Sequence, residues 1–255
     1  FTTNRYRFEN ARFYSDNSSK EKYQIFYETD QYGRENMTWA SGNPGFALTG
    51  VKGDYTVYPT YQLDNGYKNK CLGLTTRLTG SLGNLMDMPL ASGNLFIGTF
   101  DVMNALTNAL TSTQFGAQFE YVPTYLKGYY KYKAGDQFTE GGKPVNGKRD
   151  ICDIYAIMYE TSESVPTLDG TNAFTSPNLI STARINNAKE TNEWTYFKLP
   201  FTTLPGKFID KEKLMDGKYN IAIVFTSSLE GDHFNGAIGS TLLIDEAELI
   251  YHSED

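Results

Sequence analysis

Between positions 23 and 251 the chain is a succession of short runs rich in β-branched and aromatic residues. Each run is stopped by a cluster of Gly, Asn, Asp or Pro. The runs cover 23–29, 70–78, 95–102, 128–133, 151–160, 180–185, 194–201, 219–227 and 241–251. Such residues fit a pleated, half-buried surface, and nine runs cut by turn chemistry predict an all-β sandwich or barrel. Helix signal is thin. The best stretch, 101–114 (DVMNALTNALTSTQ), is weakened by its three Thr and two Asn, and a turn or two is expected over 210–215. The polar, Gly-rich segment 135–149 reads as a mobile loop joining two strands.

A chain of 255 residues is an ordinary length for one large sandwich, so a single domain over 1–255 is expected. Any signal segment would lie upstream of Phe1, because the first residues have neither a charged nor an apolar leader pattern. The net charge of −7 argues against nucleic acid or an anionic membrane as the main partner. No apolar run is long enough to span a bilayer as a helix. Cys71 and Cys152 form no disulfide framework and sit in strand-like contexts, so buried free thiols are expected over a pair. With only two His, and with no nucleophile elbow, HExxH, CxxC or phosphate-cradling Gly loop, familiar enzyme signatures are missing.

What stands out is the supply of flat rings, nineteen Tyr and sixteen Phe. Period-two alternation sorts them onto faces. In 194–201, Thr195, Phe197, Leu199 and Phe201 read as core, whereas Trp194, Tyr196 and Lys198 read as a surface face. In 128–133 the split is Tyr130 and Tyr132 against Tyr129, Lys131 and Lys133. In 151–159, Ile151, Asp153, Tyr155, Ile157 and Tyr159 share a face of mixed polar and aromatic groups, as a ligand-facing strand would.

Seven motifs taken in order resemble one family. They are FEN at 8–10, TWASGNPG at 38–45, ASGNLFIGTF at 91–100 and PTYLKGYYKYK at 123–133. DICDIYAIMYE at 150–160, WTYFKLPF at 194–201 and the stretch 222–244 with TSSLEGDHFNGAIGSTLLI complete the set. Together they resemble the putative carbohydrate metabolism domain of exported and lipid-anchored proteins of gut Bacteroidetes. The resemblance implies a jelly-roll β-sandwich similar to carbohydrate-binding modules, a preceding domain in the full protein, and a place in the periplasm or at the outer-membrane surface.

A pyranose presents an apolar C–H face that rests on a flat ring, with polar partners for its hydroxyls nearby. The ring candidates are Trp39, Tyr129, Tyr132, Tyr155, Trp194 and Tyr196, with Lys131, Asp150 and Asp153 as polar partners. The plain alternative is that these rings fill the core. The loop 227–240 adds Asp232 and His233, although its glycines also suit a purely structural turn. Glu9 and Asp245, in strand-like stretches near the two chain ends, are candidates for a structural calcium of the kind that ties terminal strands in jelly-roll modules. Non-catalytic glycan or polysaccharide binding is the leading expectation. A glycoside hydrolase or lyase using two of Asp150, Asp153, Glu160 and Asp232 is the enzymatic alternative, and a structural or adhesive module meeting protein is the third.

Overall fold

The strongest runs pair into two antiparallel sheets laid face to face in a computed structural model, which describes residues 3–14 and 22–252. The strands used below are β1 (Arg5–Tyr6), β2 (Thr60–Leu63), β3 (Cys71–Thr75), β4 (Asn94–Phe96), β5 (Ala117–Gln118) and β6 (Val122–Lys133). They continue with β7 (Asp153–Glu160), β8 (Leu179–Arg184), β9 (Thr191–Pro200), β10 (Thr202–Thr203), β11 (Tyr219–Thr226) and β12 (Thr241–His252). One six-stranded sheet runs β9-β6-β12-β3-β2, with β1 also paired to β12. The other runs β5-β11-β7-β8-β10, with β4 also paired to β11. The result is the all-β, jelly-roll-like sandwich expected from the sequence.

Alternation decides which side chains meet between the sheets. Leu126, Tyr130 and Tyr132 of β6, Phe197 and Leu199 of β9, and Leu242 and Ile244 of β12 face inward from the first sheet. Ile154, Ala156 and Met158 of β7, with Ile221, Ile223 and Phe225 of β11, meet them from the second. Cys71 and Cys152 are free and buried, and burial pushes the Cys71 thiol up to about 12.

The other face of β7 departs from expectation. Tyr155, Ile157 and Tyr159 lie in a second apolar cluster with Phe96, Phe115 and Leu168, so most of that face is covered. Ala173 and Leu179 also belong to this cluster, with Phe100 and Phe174 packed against it. The predicted 101–114 helix divides into two short ones, α3 (Val102–Ala105) and α4 (Ala109–Ser112). Asp101 caps the first of these by accepting from Met103 N and Asn104 N. The sequence reading missed α1 (Asn43–Ala47) and α2 (Gly80–Leu85), whereas the turn expected over 210–215 is α5 (Lys211–Met215). The predicted loop 135–149 carries a short hairpin, Phe138–Glu140 with Lys143–Pro144. Among the described residues no helix is long and apolar enough to cross a membrane.

Candidate functional site

On the outer face of the first sheet, β6 and β9 pair with Tyr129 opposite Tyr196, so two outward rings adjoin across the strands. Their centroids are 5.5 Å apart. Tyr67, from the loop between β2 and β3, stacks on Tyr129 with centroids 3.8 Å apart and planes 11° apart. Trp194 meets Tyr67 edge to face at 6.4 Å, and Lys131 Nζ lies 5.1 Å from the indole centroid. Tyr196 is 51% exposed and Tyr67 43%, while Tyr129 and Trp194 are half-buried. Further along the same face Lys198 Nζ sits 4.2 Å from the ring of Tyr125, another exposed aromatic. The outward residues of β6 and β9 therefore form a shelf of rings and ammonium groups. Sequence reasoning found Tyr129, Lys131, Trp194 and Tyr196 through alternation. It missed Tyr67, which sits in the turn-rich stretch DNGYKNK where no period applies.

Asp245 lies beneath this shelf. A β-bulge in β12 places Glu246 at φ 46° and turns Asp245 toward the Tyr67 loop. Asp245 Oδ2 accepts from Lys68 N at 2.8 Å and Oδ1 from Glu246 N at 2.7 Å, while Glu9 Oε1 accepts from Lys70 N at 3.2 Å. Burial, then the neighbouring Glu246 and Glu9, raises the Asp245 carboxyl to about 7 against the two amides. Among the described residues no group of three or more His, Cys, Asp or Glu side chains is arranged to hold a metal ion. The amides of Lys68 and Lys70 bind Asp245 and Glu9, so the pair acts here as a hydrogen-bonded staple for the loop.

A second concavity opens on the outer face of the other sheet, where α1, α2, α3 and α4 arch over β7 and β11. This cleft encloses about 290 Å³. Phe96, Phe115, Tyr155 and Val224 are among the residues that line it, together with Leu106 and Met86. Its polar residues include Asp153, Arg184 and Asp232. Arg184 donates to both oxygens of Asp153, at 2.7 and 3.2 Å, and its guanidinium carbon lies 4.1 Å from the Phe174 ring centroid. Burial pushes the Asp153 carboxyl upward against this guanidinium. Partial burial likewise raises Asp232, with the neighbouring His233 opposing. His233, with its Nε2 3.9 Å from Asp232, is 63% exposed and stands outside the lining. The sequence reading held Asp153, Tyr155 and Asp232, and missed Arg184 and Phe174.

Three sequence candidates are corrected. Trp39 is 3% exposed and packs in the core against Tyr6, Phe8 and Phe225. Its indole N–H donates to the buried Glu28 carboxylate at 3.3 Å, so neither ring face nor polar edge reaches a ligand. Tyr132 is buried between the sheets, its hydroxyl donating to Ser227 O at 2.9 Å. Asp150 is buried too. Its Oδ2 accepts from Ser228 Oγ, Ser240 Oγ and Ala237 N, so it knits the 227–240 loop to the start of β7.

The candidate residues thus divide between a ring shelf on one face, an apolar cleft on the other and the packed interior. The class these features define is an all-β sandwich with aromatic rings open on one face. The chain belongs to the putative carbohydrate metabolism domain family, whose profile matches residues 7–250. It is similar to a putative glycoside hydrolase from Bacteroides thetaiotaomicron VPI-5482, whose crystal structure has a TM-score of 0.94 and 68% identity over 99% of this chain and 72% of that one. A second crystal structure, of a putative glycoside hydrolase from Bacteroides vulgatus ATCC 8482, has a TM-score of 0.91 and 46% identity over 97% of this chain and 98% of that one. No curated protein matches the chain.

Proposed function

We propose that this protein binds a glycan without cleaving it, on the shelf formed by Tyr67, Tyr129, Trp194 and Tyr196, and that it serves polysaccharide capture in the bacterial cell envelope. The observation that carries this reading is the pair of open rings, Tyr67 and Tyr196, beside the Lys131–Trp194 contact. Flat faces supply stacking against C–H groups, and Lys131 and Lys198 supply donors for hydroxyls. Tyr125 lies four residues from Tyr129 on the same face of β6, about 13 Å along the strand. A polymer lying parallel to β6 therefore meets more than one ring, which suits a chain of sugars better than a single one. Envelope location and a lipid anchor rest on the family resemblance.

Calorimetry against plant, host and microbial polysaccharides tests the reading. Tyr196→Ala is expected to weaken a bound glycan by about tenfold, a loss of roughly 1.4 kcal/mol. Because the ring is exposed, its removal should change unfolding free energy by less than about 0.5 kcal/mol. A panel with no binder, or a binder indifferent to Tyr196→Ala, overturns the proposal and returns the shelf to the adhesive reading.

One observation favours catalysis instead: Asp153 and Asp232 both line the cleft, and a glycosidase needs two carboxyls facing each other across a sugar. New reducing ends from the same panel, abolished by Asp153→Asn and by Asp232→Asn, would establish it. Against it, Asp153 is held on both oxygens by Arg184, and the cleft walls are mostly apolar.

A further inference from the structure

The cleft differs chemically from the shelf. Much of its wall is Leu, Met, Phe and Ala, and part of that apolar surface is open to solvent at Leu82, Met86, Leu106 and Leu229. Several of the hydroxyls that line it are committed within the protein. Thr79 Oγ1 donates to Met88 O, Ser112 Oγ to Ala109 O, Thr226 Oγ1 to Ser228 O, and Ser228 Oγ to Asp150. A bare sugar lodged there would leave many of its hydroxyls without partners, at a cost for each one buried. At about 290 Å³ the space lies near the lower end, roughly 300 Å³, of what small organic ligands occupy.

The polar part of the cleft has a definite sign. Arg184 is spent on Asp153, and its guanidinium is flanked by Phe174. Asp232, with its side chain 48% exposed, has no Lys or Arg partner among the described residues; its ion-pair contact is His233 at 3.9 Å. Two carboxylates and one guanidinium therefore line a cleft whose walls are otherwise largely apolar. Partial burial in this cleft pushes the Asp232 carboxyl upward, with His233 opposing and Glu230 adding to the push.

We infer that the cleft is a second binding site, for a small amphiphile with an aliphatic or aromatic body and an ammonium head that pairs with Asp232. The body displaces water from the Leu, Met and Phe walls, and Met86 and Met88 adapt to its shape. The head completes the charge balance that Asp153, Arg184 and Asp232 leave one positive charge short. This site is separate from the shelf, so it stands or falls independently of glycan binding.

The test uses hexylamine, hexanol and hexanoate as probes on the intact chain, read by the methyl resonances of ¹³C-labelled Met. Met86→Leu and Met88→Leu assign the two reporters in the cleft. Hexylamine is expected to shift both signals and to bind more tightly than hexanol, and hexanoate to bind least. Asp232→Asn should weaken hexylamine by about fivefold and leave hexanol unchanged, the effect of one partly exposed ion pair. Ala109→Phe, which fills the cleft, should abolish all shifts. Should that variant fold poorly, Asp232→Asn on the protein surface still decides the matter. Silence from both methionines, hexanoate binding as tightly as hexylamine, or unchanged hexylamine affinity in Asp232→Asn would each overturn the assignment.

Discussion

Glu28 is 4% exposed and accepts from Trp39 Nε1, and burial pushes its carboxyl up to about 7 although that hydrogen bond opposes the shift. Below about pH 4 the carboxyl is protonated in both folded and unfolded chains, and its contribution to stability is complete. As pH rises toward 7 the unfolded chain gives up the proton while the folded chain keeps it, so unfolding becomes easier. The loss amounts to roughly 3 kcal/mol at most. Glu28→Gln is expected to flatten the fall in unfolding free energy between pH 5 and 7, measured by urea titration at each pH. An unchanged slope would show that Glu28 does not hold its proton in the fold. At this scale the sequence was least informative. Trp39 stands in TWASGN, a polar stretch with turn character. Nothing local reveals that Tyr6, Phe8 and Phe225, far off in the chain, close around it.

Among elements, the loop 64–70 is the part of the shelf most exposed to perturbation. A Cβ on Gly66 would stand 2.5 Å from Lys70 O and 2.7 Å from Asp245 Oδ2, so only glycine lets the loop close this tightly on the carboxylate. Gly66→Ala is expected to lift Tyr67 from Tyr129, to diminish the near-UV circular dichroism of the stacked pair, and to cost about 1–2 kcal/mol of stability. Excess EDTA should leave the wild-type signal and Tm unmoved if the amides of Lys68, Glu246 and Lys70 alone hold the two acids. A drop in Tm with chelator, reversed by calcium, would restore a cation to this place. Alternation made β6 and β9 legible side by side, because each has one face on the core and the other in water. It misread β7, whose outward face Tyr155, Ile157 and Tyr159 also packs under an apolar layer. That layer comes from short strands and turns distant in sequence, such as Phe96, Phe115 and Leu168, whose arrangement leaves no period in the strand they cover.

Across the whole molecule, the two buried cysteines follow from the strands that hold them: Cys71 opens β3 and Cys152 lies just ahead of β7, both with the core around them. Alkylation by iodoacetamide is expected to be slow in the native protein and to add two groups per chain in denaturant without reductant. Addition of none under those conditions would indicate a disulfide. The sandwich also divides duties along β6, whose inward rings Tyr130 and Tyr132 fill the core while Tyr129 and Lys131 stand outside. Such a strand has no neutral place to gain or lose a residue. A single insertion after Tyr130 would drive an ammonium into the interior and turn a core phenol out to water. Stability and recognition are thus tied to one reading frame, and substitutions can reshape the outward face where a change in length cannot.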